Sequence, residues 1–300
     1  MNKINLNFEK IAIEKQDQYI ERLRLCSCPA SDYSFINIWG WAEEYGLSWA
    51  WTDDLIWIKQ TIPDIIYWAP VGKWNEVNWD KYINNLKEYN TFIRVPKSLV
   101  NIWKNVFNDS ILEEDLRGHW DYLYSINDLT ELKGNKFHKK KNLLNQFKKK
   151  YKYQYVPFKE DIIKENISEE VVALQEDWCT WRDCESDDTL ASENRAILKI
   201  LKSWNKLKNL YGGVIRVDNM IVAYTVGEKL NNDTIIIHFE KGCPLYKGIY
   251  QAINQMFLEN SPNFFQLVNR EQDLDDEGLR KAKLSYHPVD FFQKFKVTII

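Results

Sequence analysis

The strongest constraint on the fold is a pattern of alternating apolar runs that occurs twice along the chain. In the first half, LSWAWTDDLIWIKQ contains two such runs joined at residues 53–54. In the second half, GGVIRVDNMIVAYTVGEKL contains two more, joined at residues 218–219. Alternating runs around a short polar turn are typical of β-hairpins. The sequence therefore predicts one such hairpin in each half of the chain.

Each hairpin is followed by the same order of elements. A third strand comes next, then a helix, a strand, a second helix and a final strand. The strand–helix–strand step requires a crossover, which makes those two strands parallel within an otherwise antiparallel sheet. The sequence predicts an α+β fold with two mixed, mostly antiparallel sheets flanked by helices. We interpret the repeated order as a duplication; an α+β protein without internal repetition is the alternative.

The segment between the two halves concentrates positive charge. Residues 133–152 contain nine lysines and no carboxylate, although the formal net charge of the chain is −3. Its apolar residues recur at about helical spacing, which predicts an amphipathic helix: Phe137, Leu144, Phe147 and Tyr151. We therefore divide the chain into an N-terminal domain (1–132), a basic connecting helix (133–156) and a C-terminal domain (157–300).

A cluster of like charges is unfavourable unless opposite charges approach it. The neighbouring residues 160–193 hold twelve carboxylates against two basic groups. One interpretation is therefore mutual neutralisation, or a helix whose charge only makes it soluble. The other, which we favour, is a surface that binds a polyanion. The side chains expected to contact phosphates are Lys136, His138, Lys139, Lys140 and Lys141, with Lys148, Lys149 and Lys150 as an extension.

Composition limits the class of protein. A chain of 300 residues with 45% hydrophobic content is expected to fold into globular domains. No apolar signal segment opens the sequence, and the longest apolar runs fall far short of the roughly 18–20 residues that span a membrane. We expect a soluble, cytoplasmic protein without a transmembrane segment. We expect neither a metal site nor a disulfide, because no CxxC pair occurs among Cys26, Cys28, Cys179, Cys184 and Cys243.

Two stretches resemble a known family. They are DYLYSINDLTELKGNKFHKKKNLLNQF and NREQDLDDEGLRKAKLSYHP. Both resemble the uncharacterised bacterial family grouped with the C-terminal domain of lysylphosphatidylglycerol synthases. That family consists of tandem GNAT-like (acyl-CoA N-acyltransferase) domains and is related in architecture to the Fem-type aminoacyltransferases. The resemblance covers nearly the whole chain.

The resemblance implies an activity and its partners. It implies an aminoacyltransferase that moves an amino acid from aminoacyl-tRNA to a lipid, peptide or small-molecule acceptor. The expected partner is tRNA or another polyanion, and peripheral contact with a membrane is a further implication. No cofactor is expected, because the aminoacyl ester is already activated. The chemistry needs a placed nucleophile, a proton acceptor and stabilisation of an oxyanion.

The first group of candidate catalytic residues ends a strand of the second half. In TIIIHFEKG, alternation places His238 and Glu240 on one face, and Lys241 follows at the strand end. Glu240 is expected to orient or deprotonate an acceptor amine, and Lys241 to bind a carboxylate or phosphate. A surface turn is the alternative for this pair. We interpret His238 as a hydrogen-bonded core residue.

The sequence NREQ places four polar residues at the end of the next strand. Asn269 and Glu271 are predicted to face one way, and Arg270 and Gln272 the other. We take Glu271 as a third candidate catalytic residue. Asn269, Arg270 and Gln272 are candidates for substrate binding. Structural ion pairs with neighbouring charges are the alternative.

The following helix supplies the remaining candidates. Arg280 and Lys283 lie about one turn apart, which is suitable for clamping a carboxylate or a terminal phosphate. Tyr286 completes the substrate-binding candidates. Leu279, Ala282 and Tyr286 are predicted to form the buried stripe of this helix.

Two further hypotheses concern the donor and the activity. CoA-dependent GNAT enzymes bind the pyrophosphate with a Q/R-x-x-G-x-G/A turn at this point of the fold. Here Gly242 and Gly248 have a different spacing, and Pro244 lacks an amide donor. An acetyl-CoA-dependent N-acyltransferase is therefore the second hypothesis, and a non-catalytic binding protein of the same fold is the third. No Ser-His-Asp order, P-loop or HExxH motif supports a hydrolase.

Overall fold

The computed structural model describes residues 4–27, 30–107, 110–158 and 167–300. The chain forms two compact units that alternate along the sequence. Unit 1 comprises Met1–Asp121, Gln272–Glu277 and Phe291–Ile300. Unit 2 comprises Tyr122–Glu271 and Gly278–Asp290. These units differ from the contiguous division expected from the sequence, because the end of the chain belongs to unit 1.

Strands and helices alternate along both units. The described residues form fifteen strands: β1 (Glu9–Lys10), β2 (Ser48–Trp51), β3 (Leu55–Gln60), β4 (Ile66–Trp68), β5 (Val71–Gly72), β6 (Thr91–Pro96), β7 (Ile111–Asp115), β8 (Asp121–Ser125), β9 (Tyr153–Pro157), β10 (Leu210–Val217), β11 (Met220–Lys229), β12 (Thr234–Gly242), β13 (Leu267–Asn269), β14 (Asp290–Phe292) and β15 (Lys294–Ile299). They also form ten α-helices: α1 (Gln16–Leu23), α2 (Phe35–Gly40), α3 (Ile83–Tyr89), α4 (Lys97–Phe107), α5 (Ile126–Glu131), α6 (His138–Lys150), α7 (Ile167–Trp181), α8 (Asp188–Lys202), α9 (Ile249–Glu259) and α10 (Glu277–Leu284). None of these helices is both long and apolar enough to cross a lipid bilayer.

Two mixed sheets have matching strand orders. In sheet 1 the order is β1-β2-β3-β4-β6-β15-β7, with β5 pairing with β3. In sheet 2 the order, taken from the corresponding edge, is β9-β10-β11-β12-β13-β8-β14. The crossover strands are parallel in both sheets, β4 with β6 and β12 with β13. The predicted α+β class, with two mixed sheets flanked by helices, is confirmed, and the matching orders agree with a duplication.

The final strand of each half lies in the sheet of the other half. β8 comes from the first half of the chain and pairs with β13 in sheet 2. β15 ends the chain and pairs with β6 and β7 in sheet 1. This exchange explains why the units are interleaved. Apolar periodicity reveals a strand but does not reveal which sheet it joins.

The two predicted hairpins are present. β2 pairs with β3 antiparallel, and β10 pairs with β11 in the same way. At the second turn, Asp218 and Asn219 both have positive φ, 49° and 68°. Two consecutive positive φ angles characterise the tight turn that matches the twist of a hairpin, and Asp and Asn tolerate them better than most residues.

The cysteines correct one prediction. Cys179 and Cys184 form a disulfide between the end of α7 and the turn that follows it. The expectation of reduced thiols throughout is therefore wrong for this pair. Cys26 and Cys243 are free and buried, and Cys28 lies outside the described residues. Sequence spacing alone did not reveal the pair, because its separation of five residues matches no common motif.

Unit 1 contains a buried cluster of charges. Lys294 of β15 is fully buried and donates to Asp32 at 2.5 Å and to Asp121 at 2.7 Å. Arg94 donates to Asp32 at 2.6 Å. Burial alone would raise the pKa of Asp32, but Lys294 and Arg94 outweigh it and hold that pKa well below its usual range. Asp32 is thus an ion-pair partner, whereas Ser34 caps α2.

Gln272 belongs to this cluster. Its Nε2 donates to Asp32 Oδ1 at 3.1 Å and to Asp121 Oδ1 at 3.2 Å. The prediction grouped Gln272 with Asn269 and Arg270 as a substrate contact. The structure instead places it in unit 1, apart from those two residues in unit 2. Its amide helps to satisfy the buried carboxylates.

We predict that Lys294→Met lowers the free energy of unfolding by about 3–5 kcal/mol, because it leaves two buried carboxylates without this cation. Lys296→Met is the matched control in the same strand. Lys296 pairs with Glu114, but both side chains are largely exposed, so its loss should cost about 0–1 kcal/mol. Urea denaturation measures both values. Equal effects of the two substitutions would contradict a stabilising role for the cluster.

Candidate functional site

β12 and β13 diverge in unit 2. Their parallel register ends where Ile236 pairs with Asn269, and β12 continues to Gly242. Beyond Asn269 the chain stays with β8, because the Arg270 amide donates to the Tyr122 carbonyl at 3.0 Å. Backbone pairing between the two strands therefore ends at this point. We call the region between the unpaired strand ends the strand opening, and it is where the sequence predicts the candidate site.

Two charge pairs link the two sides of the strand opening. Arg270 Nη2 lies 3.2 Å from Glu240 Oε1. His238 Nδ1 lies 2.9 Å from Glu271 Oε1. In each pair, one residue comes from β12 and the other from the chain after β13. The opening is therefore lined by charged side chains rather than closed by backbone hydrogen bonds.

Glu240 and Arg270 belong to a larger group of polar side chains. Asn254 of α9 donates to Glu240 Oε2 at 2.9 Å. The Arg270 guanidinium lies 4.9 Å from the ring centroid of Tyr286. Lys140 of α6 places its Nζ 4.0 Å from the centroid of the same ring. We call these residues the Tyr286 cluster: Lys140, Glu240, Asn254, Arg270 and Tyr286.

The electrostatics of the Tyr286 cluster follow from burial and neighbouring charge. Burial lowers the pKa of the Lys140 ammonium, and the nearby Arg270 lowers it further. Burial would also lower the pKa of Arg270, but Glu240 more than compensates and the pKa is raised. Burial raises the pKa of the Tyr286 hydroxyl, which accepts a hydrogen bond from Gln251 at 3.2 Å. The phenol is therefore neutral, and the cluster carries more positive than negative charge.

His238 is a buried imidazolium. It lies 2.9 Å from Glu271 through Nδ1 and 3.1 Å from Glu228 through Nε2. Burial opposes its charge, but the hydrogen bonds to Glu228 and Glu271 outweigh burial and raise its pKa to about 9. The interpretation as a hydrogen-bonded core histidine is confirmed.

The predicted shared face of His238 and Glu240 is wrong. Glu240 contacts Asn254 of α9, whereas His238 contacts Glu228 and Glu271. The register of β11 with β12 shifts between Val226 and Gly227, so one extra residue of β12 interrupts the alternation. Such a bulge redirects the side chains beside it.

Lys241 has partners different from those of Glu240 and His238. Its Nζ lies 2.6 Å from Glu193 of α8 and 3.8 Å from the ring centroid of Trp178 of α7. Burial lowers its pKa, and Glu193 opposes this effect. The candidate catalytic residues Glu240, Lys241 and Glu271 thus belong to three separate ion pairs. This arrangement matches the structural alternative more closely than one shared catalytic site.

The remaining substrate candidates support the backbone around Arg270. Asn269 Oδ1 accepts from the Glu271 amide at 2.8 Å, where Glu271 adopts a positive φ of 55°. Lys283 Nζ donates to the Arg270 carbonyl, so its ammonium is already engaged. Arg280 is half-buried on α10.

The predicted buried stripe of α10 is only partly correct. Tyr286 is 6% exposed, but Leu279 is 41% exposed and Ala282 is also exposed. Tyr286 follows the last residue of α10, Leu284. Helical spacing therefore does not apply to Tyr286, and Leu279 faces solvent.

The lysine-rich segment forms α6 as predicted, with Phe137, Leu144 and Phe147 buried. Lys136, just before the helix, pairs with Asp128 at 2.9 Å, and Lys148 donates to Gln255 at 3.2 Å. His138 is exposed and contacts Asn142. Among the described residues, neither an ion pair nor a side-chain hydrogen bond engages the exposed ammonium groups of Lys139, Lys141, Lys149 and Lys150 in α6. Residues 160–166 of the acidic segment lie outside the described residues.

Sequence reasoning missed Asn254 and Gln251. Both are polar residues three positions apart on the largely apolar helix α9, and that spacing places them on one face. The available signal was the presence of two polar residues on one face of a largely apolar helix. A groove of about 430 Å³ lies elsewhere in unit 2, between α5 and the end of α9, and none of the predicted site residues lines it.

Comparison with known proteins identifies the class. The profile of the family described as phosphatidylglycerol lysyltransferase, C-terminal, matches residues 24–298. The matched region covers nearly the whole chain and includes strands of both mixed sheets. The chain belongs to the family of the C-terminal domain of phosphatidylglycerol lysyltransferases.

The chain is also similar to individual proteins. A conserved protein of unknown function from Bacteroides thetaiotaomicron VPI-5482 is 30% identical, with a TM-score of 0.88 over 99% of this chain and 100% of that one. L-PGS from Bacillus licheniformis has a TM-score of 0.64 at 13% identity, covering 97% and 92% of the two chains. An uncharacterized protein of Mycoplasmoides gallisepticum is 28% identical over 187 residues, 60% of this chain and 56% of its own length.

We predict that stability falls as the pH rises from about 6.5 to 10. Because the pKa of His238 is raised to about 9 in the folded state, its charge stabilises fully below the unfolded pKa of about 6.5, and this contribution disappears above 9. The loss amounts to about 3 kcal/mol.

Denaturation at several pH values measures this loss in the wild type and in Glu271→Gln, which removes one of the two carboxylates. The slope should be smaller in the variant. Glu259→Gln, an exposed carboxylate of α9, is the control and should follow the wild type. Identical slopes in all three proteins would contradict the assignment to His238.

Proposed function

We propose that this protein transfers an amino acid from aminoacyl-tRNA to an acceptor amine or hydroxyl. The observation that carries the proposal is the position of Lys140. It belongs to the basic helix α6, yet its ammonium reaches the Tyr286 ring beside Arg270 and Glu240. The cationic surface is thus continuous with the strand opening. A bound polyanion can therefore place its end at the polar cluster.

The exposed lysines of α6 suit the phosphate backbone of tRNA. Lys139, Lys141, Lys149 and Lys150 project from one helix with no internal counterion among the described residues. Phosphates displace small counterions from such a surface, and the released ions favour binding at low salt. Among the described residues, no ion pair joins these lysines to the acidic residues of α7 and α8, which supports the polyanion interpretation over simple neutralisation.

In the proposed reaction, the acceptor nitrogen or oxygen attacks the ester carbonyl of the aminoacyl group. The bond between the carbonyl carbon and the ribose oxygen then breaks, and the acceptor proton passes to that oxygen, which leaves as the ribose hydroxyl. Glu240 is held by Arg270 and Asn254, so its carboxylate has a fixed orientation. We assign it the role of binding and orienting an amine, and we assign Arg270 the stabilisation of negative charge.

The structure offers less support for acetyl-CoA as the donor. The segment that would carry the pyrophosphate turn lies before α9 and ends at Gly248. A Cβ at Gly248 would lie 2.3 Å from the Leu143 carbonyl oxygen of α6. The basic helix therefore packs directly against the start of α9, where CoA phosphates are bound in the GNAT fold. This packing favours the aminoacyl-tRNA hypothesis over the CoA hypothesis.

We predict that reversing three exposed charges, Lys139→Glu, Lys141→Glu and Lys149→Glu, weakens tRNA binding by at least about tenfold at moderate salt and reduces the salt slope by about three. The control reverses Lys10, Lys87 and Lys202, which are exposed and belong to elements other than α6, and gives the same net charge. Filter binding over a range of salt concentrations measures both effects. Equal loss in the two triple variants would contradict a specific site.

We predict that Glu240→Gln reduces the rate of amino-acid transfer by about 10²-fold or more, as expected for a group that positions a reactant. tRNA affinity should change less than twofold. The measurement is transfer of a radiolabelled amino acid from charged tRNA in single-turnover reactions. Glu259→Gln, at the end of α9, is the matched control. Full activity of Glu240→Gln would remove Glu240 from the reaction.

A further inference from the structure

The cations of the Tyr286 cluster outnumber its anions. Lys140 and Arg270 both approach the ring of Tyr286, at 4.0 Å and 4.9 Å from its centroid. Lys283 adds a third cation, whose ammonium donates to the Arg270 carbonyl. Glu240 supplies one carboxylate, which is 3.2 Å from Arg270. Like charges held together in a partly buried site are unfavourable unless an anion joins them.

One nitrogen of Arg270 has an unused donor. Nη2 donates to Glu240, and the guanidinium also interacts with the Tyr286 hydroxyl, whereas Nη1 is buried and has no partner in hydrogen-bond geometry among the described residues. A buried donor without a partner is destabilising. A guanidinium presents its donors in a planar fork that suits the oxygens of a phosphate. Glu240 therefore fixes the orientation of the Arg270 guanidinium, and Nη1 remains able to donate to an anion.

Lys140 differs from the other lysines of α6. Its neighbours Lys139 and Lys141 are exposed, whereas Lys140 is half-buried against Tyr286. Among the described residues it forms no ion pair. Burial and Arg270 together lower its pKa. An anion placed near the two cations would stabilise the charged ammonium and so oppose this lowering. The surface lysines have no comparable cost.

We propose that Lys140 and Arg270 form an inner phosphate subsite on the Tyr286 ring, which binds the last phosphodiester of the donor RNA. The subsite deepens the proposed function and rests on it. A phosphodiester fits because the backbone of the same ligand can continue along the exposed lysines of α6. Charge-assisted bonds from an ammonium and a guanidinium fix one phosphate in position. The ester that follows this phosphate is then held at the strand opening.

The probe is cytidylyl-adenosine (CpA), a dinucleotide with one phosphodiester, and binding is measured by calorimetry. We expect Lys140→Met and Arg270→Lys each to weaken CpA binding by about tenfold, because each removes charge-assisted bonds to the phosphate. Arg270→Lys keeps a cation opposite Glu240, and thermal denaturation verifies folding of both variants. Lys139→Met is the matched control: it should weaken tRNA binding but change CpA affinity less than twofold. Inorganic phosphate should compete with CpA.

The outcomes separate the subsite from the proposed function. If CpA fails to bind, or binds equally well to the wild type and Lys140→Met, the subsite is overturned, even if tRNA still binds to α6. If CpA binds and depends on Lys140 and Arg270 while tRNA does not bind, the subsite stands and the proposed function fails. Failure of inorganic phosphate to compete would also overturn the subsite, since the phosphate would not be the group recognised.

Discussion

The divergence of β12 from β13 is the constraint on which the site depends. Once the parallel register ends at Ile236 and Asn269, the two strand ends no longer share backbone hydrogen bonds. Charged side chains occupy the gap instead, with Glu240 facing Arg270. Asn254 and Tyr286 contact this pair. The polar cluster of unit 2 therefore depends on the point at which the two strands stop pairing.

Packing of α6 against α9 gives the site its excess of positive charge. Gly248 has a positive φ of 88° and allows the Leu143 carbonyl to approach closely, so α6 lies against the start of α9. This contact brings Lys140 to the Tyr286 ring and leaves the other lysines on the surface. Unit 1 contrasts with this arrangement: Lys294 and Arg94 are matched there by two buried carboxylates, Asp32 and Asp121. The excess of cations belongs to the site of unit 2.

Much of the fold could be predicted from the sequence because periodicity reports local structure. Both hairpins, the parallel crossovers and the helix α6 follow from apolar spacing and turn residues. The exchange of β8 and β15 could not be predicted, since a strand carries the same alternation in either sheet. The Cys179–Cys184 disulfide was missed for a similar reason, as no spacing rule describes it.

The structure brings some of the candidate site residues together and keeps others apart. Glu240, Arg270 and Tyr286 do come together, and Lys140 joins them from α6. Alternation failed at His238 because a register shift interrupts β12, and Lys241 therefore turns to Glu193. Gln272, two residues after Arg270, lies in unit 1. The chain passes from unit 2 to unit 1 between Glu271 and Gln272, so neighbouring residues in the sequence belong to different units.

The most direct test of the account is to locate the aminoacyl end of a bound tRNA. Charged tRNA carrying a photoreactive 3′-terminal adenosine can be crosslinked to the protein and the attached peptide identified. The account predicts attachment near Tyr286 and the strand opening, with loss of the crosslink when uncharged competitor RNA is added. Attachment only to the groove between α5 and the end of α9, or only to unit 1, would contradict it.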